Sequence, residues 1–192
     1  YSRIDTVKRT EVLQIVKDAG IKWLCLGIES ADKTIRLEIS KGKFEDVDVK
    51  KVVEQIHEVG IEVMANYIYG LPGDNAESMK KTLELSIDLC TSGWNSYAAM
   101  ALPGSSLYKQ AKDKGLELPK TYAAYSFHSY ETLPLSNKFL SAKDILMFRD
   151  NAFVKYHKNK AFLSRIESIF GKKAVENINE MLKVKLDRKI FN

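Results

Sequence analysis

Hydrophobic residues follow two alternating patterns along the first half of the chain. In the helical pattern, apolar residues cluster on one face of a segment that ends in glycine. The first such helix is predicted to begin at an N-cap, Thr10, and to stop at Gly20. The other pattern is a short, almost wholly apolar run, typical of a parallel strand buried on both faces. Three helix and strand pairs follow one another, at 9–20 with 21–28, at 46–60 with 61–70, and at 75–93 with 94–104.

This repeat of about 30 to 40 residues predicts an α/β fold with a parallel sheet. The pattern leaves open whether the sheet curves toward a barrel or is open and doubly wound. In both cases functional groups are expected in the loops at the carboxyl ends of the strands. The residues predicted at such ends are Glu29, Ser30, 70–74 and 103–106.

The chain divides into three predicted regions. Residues 1–118 carry the helix and strand repeat. Residues 119–140 are rich in tyrosine and phenylalanine without a clear period, and we interpret them as an irregular arm or lid. Residues 141–192 are predicted to form a helical C-terminal extension, with breaks near Asn159 and Gly171.

The composition is that of a globular protein, with 45% hydrophobic and 29% charged residues among 192. Cys25 and Cys90 lie far apart in apolar segments and the three histidines are scattered, which predicts buried thiols and no metal site. No apolar run approaches the roughly 20 residues of a membrane span, so no membrane partner is expected. The cysteine usage and the lack of a leader in the first residues favour the cytoplasm.

The net charge of +5 is concentrated in the tail of the chain. From 155 to 192 there are ten Lys or Arg against four Asp or Glu, a local charge of +6, and the rest of the chain therefore sums to about −1. A solvated helical face is favoured for such a tail over a nucleic-acid or membrane surface.

Two polar side chains, Glu29 and Asn66, interrupt the apolar strands. Asn66 needs hydrogen-bond partners from the protein or from a ligand, because an unpaired buried amide costs about 1–3 kcal/mol. Strand alternation places Gly27 beside Glu29, and Ile68 and Gly70 beside Asn66. The residues alone leave two alternatives open. Glu29 or Ser30 either binds a ligand or caps the next helix, and the GLPGD turn at 70–74 either connects strand to helix or admits a flat ligand.

Four phrases carry a resemblance to a known family. In order, "GIES" at 27–30, "SKG" at 40–42, "NYIYGLPGD" at 66–74 and "ALPGSSLYKQAKDKGL" at 101–116 resemble the later part of radical S-adenosylmethionine (SAM) enzymes. The match is closest to the branch often preceded by a cobalamin-binding domain. "RID" at 3–5 and the segment 148–163 extend it over nearly the whole chain. The resemblance implies the C-terminal half of a partial TIM barrel.

The resemblance also implies roles for particular residues in binding SAM. Glu29 and Ser30 would contact its ribose or methionyl part, and Lys41 would lie near its carboxylate. The pocket for the methionyl group and the adenine would be lined by Asn66 and Ile68, with the bare backbone of Gly70 nearby. The adenine itself would be flanked by Leu102 and Pro103.

Two departures from the family pattern stand out. Asp74 and Asn75 follow "GLPG" where the family often has Glu-Thr, which puts a threonine cap in doubt. The CxxxCxxC motif that holds the [4Fe–4S] cluster is absent, since the chain has only two cysteines. We therefore expect the chain to begin near the end of the third strand of the barrel, to be inactive alone, and to lack the N-terminal half as a partner. Exposed strand edges would then favour self-association.

The leading hypothesis is the C-terminal portion of a radical SAM enzyme, an iron–sulfur oxidoreductase or methyltransferase. The intact protein would cleave SAM reductively to a 5′-deoxyadenosyl radical and act on an unknown small-molecule substrate, with cobalamin as a further cofactor of the related branch. The alternative hypothesis is a cluster-free α/β binding or scaffold module whose basic tail docks on RNA or another acidic partner. Against nucleic acid, the tail lacks the interleaved aromatic and basic pattern of an RNA-binding module.

Overall fold

A computed structural model describes residues 1–39 and 47–192. Within these ranges the chain forms a four-stranded parallel sheet. The strands are β1 (Ser2–Arg3), β2 (Trp23–Glu29), β3 (Glu62–Tyr69) and β4 (Gly93–Ala98), in the order β1-β2-β3-β4. Each strand adds to the same side as the one before it, whereas a doubly wound sheet reverses direction. The predicted α/β fold, a segment of a parallel barrel, is confirmed.

Helices connect the strands and extend beyond them. In the described ranges they are α1 (Thr10–Asp18), α2 (Lys33–Ile39), α3 (Val49–Glu58), α4 (Ala76–Leu89), α5 (Ser106–Asp113), α6 (Ala142–His157), α7 (Lys160–Phe170) and α8 (Lys172–Met181). Three short 3-10 segments lie at Ile4–Val7, Ala123–Tyr125 and Lys189–Phe191. None of the helices so described has the length and hydropathy to cross a bilayer.

The helix ends that the structure describes agree with the sequence predictions at Asn159 and Gly171 but not at Thr10. The predicted breaks hold, because Asn159 caps α7 through its side chain and Gly171 separates α7 from α8. Asn75 forms a capping box at α4, so this cap needs no threonine. Thr10 is not the N-cap of α1: that position is Arg9, which makes no side-chain capping bond, and the Thr10 hydroxyl accepts a hydrogen bond from Gln55 instead (3.5 Å).

The two faces of the sheet differ in burial. One face packs against the helices and is buried, with side chains that include Leu24, Leu26, Ile28, Val63, Ala65, Tyr67, Tyr69 and Trp94. The other, which we call the open face, is half-exposed and carries Cys25, Gly27, Glu29, Met64, Asn66, Ile68, Asn95 and Tyr97. The prediction of strands buried on both faces is therefore wrong for the described structure. Polar residues can occupy this face because none of the described helices packs on it.

The C-terminal helices share the core of the sheet. The Trp94 indole stacks on the Tyr156 ring of α6 at 4.9 Å, and the Tyr156 hydroxyl donates to the Thr91 carbonyl (2.8 Å). From α7, Arg165 donates to the carboxylate of Glu62 (2.8 Å) and to the hydroxyl of Ser92 (3.0 Å). These contacts fix the helical extension to the amino end of the strands.

The segment 119–140 is irregular apart from its 3-10 turn, as predicted from its composition. Its end runs beside β4, where the amide of Leu135 donates to the carbonyl of Ala99 (2.9 Å). Its tip brings Phe127 against Tyr97 on the open face, with ring centroids 5.1 Å apart. The arm therefore contacts the carboxyl end of β4.

Candidate ligand site at the carboxyl ends of the strands

The backbone at the end of β2 is strained at Glu29. This residue has φ +67°, a left-handed value that a residue with a side chain adopts at a cost. The amide of Ser30 donates to the carbonyl of Ile28 (2.9 Å), which closes a three-residue turn of the rare strained type. The register with β3 shifts between Gly27 and Glu29 at the same point. The turn brings Glu29 onto the open face beside Gly27.

The Glu29 side chain lies over Gly27. An ideal Cβ built on Gly27 would overlap Glu29 Oε1, so only glycine at position 27 leaves room for this arrangement. Burial raises the pKa of Glu29 to about 7, and no hydrogen bond or ion pair to its carboxylate is made within the described part of the chain. A half-buried carboxyl without a partner, held by a strained backbone, is typical of a ligand contact.

A row of side-chain amides crosses the open face below Glu29. Asn66 of β3 lies between Gly27 of β2 and Asn95 of β4 in the register of the sheet. The Asn66 Nδ2 group donates to the carbonyl of Leu26 and to Cys25 Sγ, both at 3.0 Å, and its Oδ1 accepts from Asn95 Nδ2 at 3.1 Å. The amide of Asn66 is thus satisfied by protein groups. Sequence reasoning missed Asn95, whose Nδ2 is engaged by Asn66 and whose Oδ1 makes no hydrogen bond among the described residues.

Above this row lie two side chains of different character, Ile68 and Tyr97, paired in the β3 and β4 register. Ile68 is half-buried and packs against Ile35, Leu71 and Ala99. Burial and then nearby ionisable groups, which include Cys25, Tyr1 and Glu29, raise the pKa of Tyr97. Position 97 was not predicted as a site residue, although its alternation with Asn95 in β4 would have put both on one face.

Two of the predicted site residues, Ser30 and Gly70, pack against helices of the described structure. Ser30 is 0% exposed, its hydroxyl is within 3.3 Å of the Thr82 hydroxyl, and it accepts from the amide of Asp32 (3.1 Å). A side chain at Gly70, which has φ +81°, would collide with Ile145 of α6. The Ser30 side chain therefore does not lie on the open face. Gly70 faces α6, in contrast to its predicted placement beside Asn66.

The remaining predicted site residues lie in loops. Leu102 is 54% exposed and Pro103 is also exposed, in the turn that follows β4 and contains Gly104 at φ +85°. Both therefore stand at the carboxyl end of the sheet, as predicted. Lys41 falls outside the described residues.

The GLPGD turn is held by its own side chains. Asp74 is buried and accepts from the amide of Leu71 (3.0 Å) and the hydroxyl of Ser78 (2.6 Å). Burial raises the pKa of Asp74, although these hydrogen bonds oppose the increase. Asn137 of the arm donates to the carbonyls of Leu71 (2.8 Å) and Asp74 (3.0 Å). Within the described structure this turn acts as a connection between β3 and α4.

The residues described do not fit an iron–sulfur cluster. Cys25 is on the open face of β2 and Cys90 caps the C-terminus of α4, and a four-iron cluster needs several thiolates around one centre. The described residues contain no group of three or more His, Cys, Asp or Glu side chains that could hold a metal ion. On the open face the described residues offer the Glu29 carboxyl and the side-chain amides, which can bind hydroxyl or amino donors. The Glu29 carboxyl can also hold a proton near neutral pH.

Comparisons with known proteins bear on this site. A family model described as the Radical SAM superfamily matches residues 2–86. The chain is 23% identical over 163 residues to the anaerobic magnesium-protoporphyrin IX monomethyl ester cyclase of Cereibacter sphaeroides, an alignment that covers 83% of this chain and 25% of that protein. The chain thus spans a quarter of the length of this curated relative.

A solved structure is also similar. The coproporphyrinogen III oxidase of Escherichia coli, described as a radical SAM enzyme, aligns with a TM-score of 0.45 and 16% identity over 65% of this chain and 36% of that one. The segment matched by the family model contains Glu29, Asn66 and the first three strands. Residues 2–86, somewhat less than half of the chain, are thus similar to the radical SAM superfamily.

Proposed function

We propose that the open face forms one wall of a SAM site in a radical SAM enzyme, and that Glu29 binds the ribose hydroxyls. The observation that carries this proposal is the strained turn at Glu29, which holds an unpartnered carboxyl over the bare backbone of Gly27. A carboxylate accepts hydrogen bonds from two hydroxyls at once, which suits a ribose diol. The cost of the strained backbone is offset if binding needs the carboxyl at this place.

The other residues complete the wall in the proposal. Ile68 offers an apolar surface to the adenine, and the exposed loop at Leu102 and Pro103 flanks it. Asn95 adds an acceptor that the sequence did not reveal, and Asn66 orients it. Lys41 is proposed to meet the carboxylate of SAM. When bound, SAM supplies the 5′-deoxyadenosyl group for the radical chemistry of the family.

The activity of the whole protein is a further part of the proposal. The parent is proposed to be a radical SAM oxidoreductase that uses an iron–sulfur cluster, with ligands supplied from outside the described residues. The curated relative is named as a cyclase of magnesium-protoporphyrin IX monomethyl ester, and a large planar substrate of that kind would suit a face edged by Tyr97 and Phe127. Cobalamin and methyl transfer are proposed only on the resemblance of the motifs.

The test is SAM binding by the 192-residue chain, measured by titration calorimetry. The matched variants are Glu29→Gln, which keeps shape but loses the charge, and Glu58→Gln, an exposed glutamate on α3. Weak binding, with Kd on the order of 0.1–1 mM, is expected because the chain supplies only one wall. Glu29→Gln should weaken it about tenfold, the effect of losing one charge-assisted hydrogen bond, and Glu58→Gln should not. Equal affinity of the two variants for SAM contradicts the assignment.

A further inference from the structure

The C-terminal segment returns to the aromatic arm. Residues 187–192, which we call the strap, follow α8 and an irregular stretch and then run beside the arm. The amide of Lys189 donates to the carbonyl of Tyr130 (2.8 Å), and the Asn192 side chain donates to the Tyr130 hydroxyl (3.4 Å). The strap and the arm are therefore joined by main-chain as well as side-chain bonds.

Arg188 is the centre of this junction. Its side chain is 0% exposed and forms a bidentate salt bridge with Asp150 of α6, from Nε to Oδ2 at 2.9 Å and from Nη2 to Oδ1 at 3.0 Å. Its Nη1 donates to the carbonyl of Ser129 and to the hydroxyl of Thr132, both at 3.0 Å. A buried guanidinium that binds two elements in this way fixes their relative position, because its planar donors have fixed directions.

The part of the arm held by Arg188 is the turn that carries Phe127. The Thr132 hydroxyl lies within hydrogen-bond distance of the carbonyls of Ser126 (2.5 Å) and Ser129 (2.6 Å), so it ties together both ends of the turn. Phe127 lies inside this turn and contacts Tyr97 with ring centroids 5.1 Å apart. The turn that carries Phe127 is thus hydrogen-bonded to the strap through Thr132 and Ser129.

A second arginine links the same junction to the strand itself. Arg149 precedes Asp150 on α6, donates from Nε to the carbonyl of Ser96 in β4 (3.0 Å), and pairs with Asp150 through Nη1 (3.0 Å). Ser96 is adjacent to Tyr97 in β4. One end of β4 is therefore held on its helix face by Arg149, while Phe127 covers Tyr97 on the open face.

We infer that Arg188 is a positioning residue, and that it places Phe127 on Tyr97 to build an aromatic wall that selects ligands with a planar ring beside Glu29. The strap acts through the turn at 126–132 and makes no contact with the ligand itself. The selection by the wall rests on the function proposed above, whereas the positioning of the arm by Arg188 does not. The two parts are tested separately.

Hydrogen exchange of the 192-residue chain without ligand tests the positioning. The variants are Arg188→Met and the milder Asp150→Asn, which keeps the shape of the partner. The control is Lys185→Met, an exposed cation three positions earlier in the chain. Both variants should accelerate exchange of the amides of 122–136 by about tenfold or more, since charge-assisted bonds are lost. Amides of β2, β3 and β4 should keep their protection, and the Lys185 control should match the unmodified chain.

Two outcomes overturn the positioning role. If exchange rises only within 187–192, the strap does not hold the arm. If both variants lose protection throughout the sheet, the strap stabilises the whole fold and has no specific action on the arm. Far-UV circular dichroism distinguishes a folded variant from an unfolded one, and the Asp150→Asn variant keeps the test decisive if Arg188→Met fails to fold.

The wall is tested with a planar probe that is not SAM, protoporphyrin IX, by fluorescence titration. Phe127→Ala should weaken its binding about tenfold, and Arg188→Met should weaken it to the same extent, because both remove the same ring from the open face. Phe139→Ala, which removes an exposed ring elsewhere in the arm, is the control. Unchanged affinity in the Phe127 and Arg188 variants overturns the wall. The two failures are distinguishable, because unchanged SAM binding in Glu29→Gln contradicts the proposed function, whereas unchanged protoporphyrin IX binding in Phe127→Ala contradicts the wall.

Discussion

Two glutamates on neighbouring strands, Glu29 and Glu62, show how differently the two ends of one sheet are built. Glu62 opens β3 at the amino end, where burial alone would raise its pKa. Hydrogen bonds from Ser92 and Arg165, with the charge of Arg165, outweigh that effect and lower the pKa. Glu29 closes β2 at the carboxyl end, has no partner among the described residues, and has its pKa raised to about 7 by burial.

The comparison separates an end whose polar side chains serve stability from an end where the ligand site is proposed. At the amino end the Glu62 carboxylate finds protein partners in Ser92 and Arg165, and Arg165 ties the helical extension to the sheet. At the carboxyl end the backbone is strained at Glu29, and its carboxyl has no partner among the described residues. In parallel barrels, ligand sites gather at the carboxyl ends of strands, and the opposite end maintains the fold.

The largest change in the free energy of unfolding is expected from Glu29→Gln. The folded pKa of Glu29 lies above the unfolded value, so its contribution to stability is greatest below about pH 4.5 and falls as the pH rises toward 7. Removing the carboxyl should therefore change stability little at pH 4 and raise the free energy of unfolding by about 2–3 kcal/mol at pH 8. Urea unfolding at the two pH values measures this. A loss of stability at pH 8 would mean that Glu29 has a cationic partner.

At the opposite end, Arg165→Met should destabilise the chain. The change removes hydrogen bonds to Glu62 and Ser92, and the expected decrease in the free energy of unfolding is about 1–2 kcal/mol at pH 7. Urea unfolding of this variant, of Glu62→Gln and of the double variant forms a cycle. Additive effects of the two single changes would show that the pair contributes nothing.

Gly27→Ala should reduce the difference in pKa between the glutamates at the two ends of the sheet. The added methyl would displace the Glu29 carboxyl toward solvent, which lowers its pKa toward the ordinary value. At least half of the pH-dependent loss, about 1–1.5 kcal/mol, should disappear. The control is Gly27→Ala combined with Glu29→Gln, in which the methyl should no longer affect the pH dependence. A full pH dependence in the single variant would show that the carboxyl does not lie over Gly27.

The smallest effect is expected from Asn95→Ala. The variant loses the bond to Asn66 Oδ1, which is worth about 1 kcal/mol, and no charge is involved. Thermal unfolding at pH 5 and pH 8 should show the same decrease in stability. A decrease that grows with pH would instead mean that Asn95 interacts with the Glu29 carboxylate.

Much of the fold could be predicted from periodicity and caps. The helices and strands alternate at the predicted places, and Gly20, Gly60 and Gly171 end or separate helices with positive φ. The sequence pattern misjudged burial, because apolar runs such as 23–28 predict two buried faces and contain no information about which surface is covered. Composition likewise indicated a solvated tail, but Arg165 and Arg188 form internal ion pairs that depend on residues far away in sequence.

The candidate site was also partly predictable from the pattern of polar and apolar residues. Glu29 and Asn66 were identified because polar residues interrupt apolar strands, and alternation grouped Glu29 with Gly27 and Asn66 with Ile68. The structure shows that both groups lie on the open face. Ser30 was beyond this reasoning, since its partner Thr82 lies on α4, 52 positions away. The role of Gly70 in packing against Ile145 was hidden similarly, because no local pattern reports contact between a turn and a distant helix.

The overlap between a Cβ at position 27 and the carboxyl of Glu29 means that these two positions cannot vary independently. Any library or ancestral reconstruction that changes one of them will report on the other, and the same substitution at Gly27 will be harmful or harmless according to what stands at 29. In sequence comparisons positions 27 and 29 should therefore covary, with glycine at position 27 wherever glutamate stands at position 29.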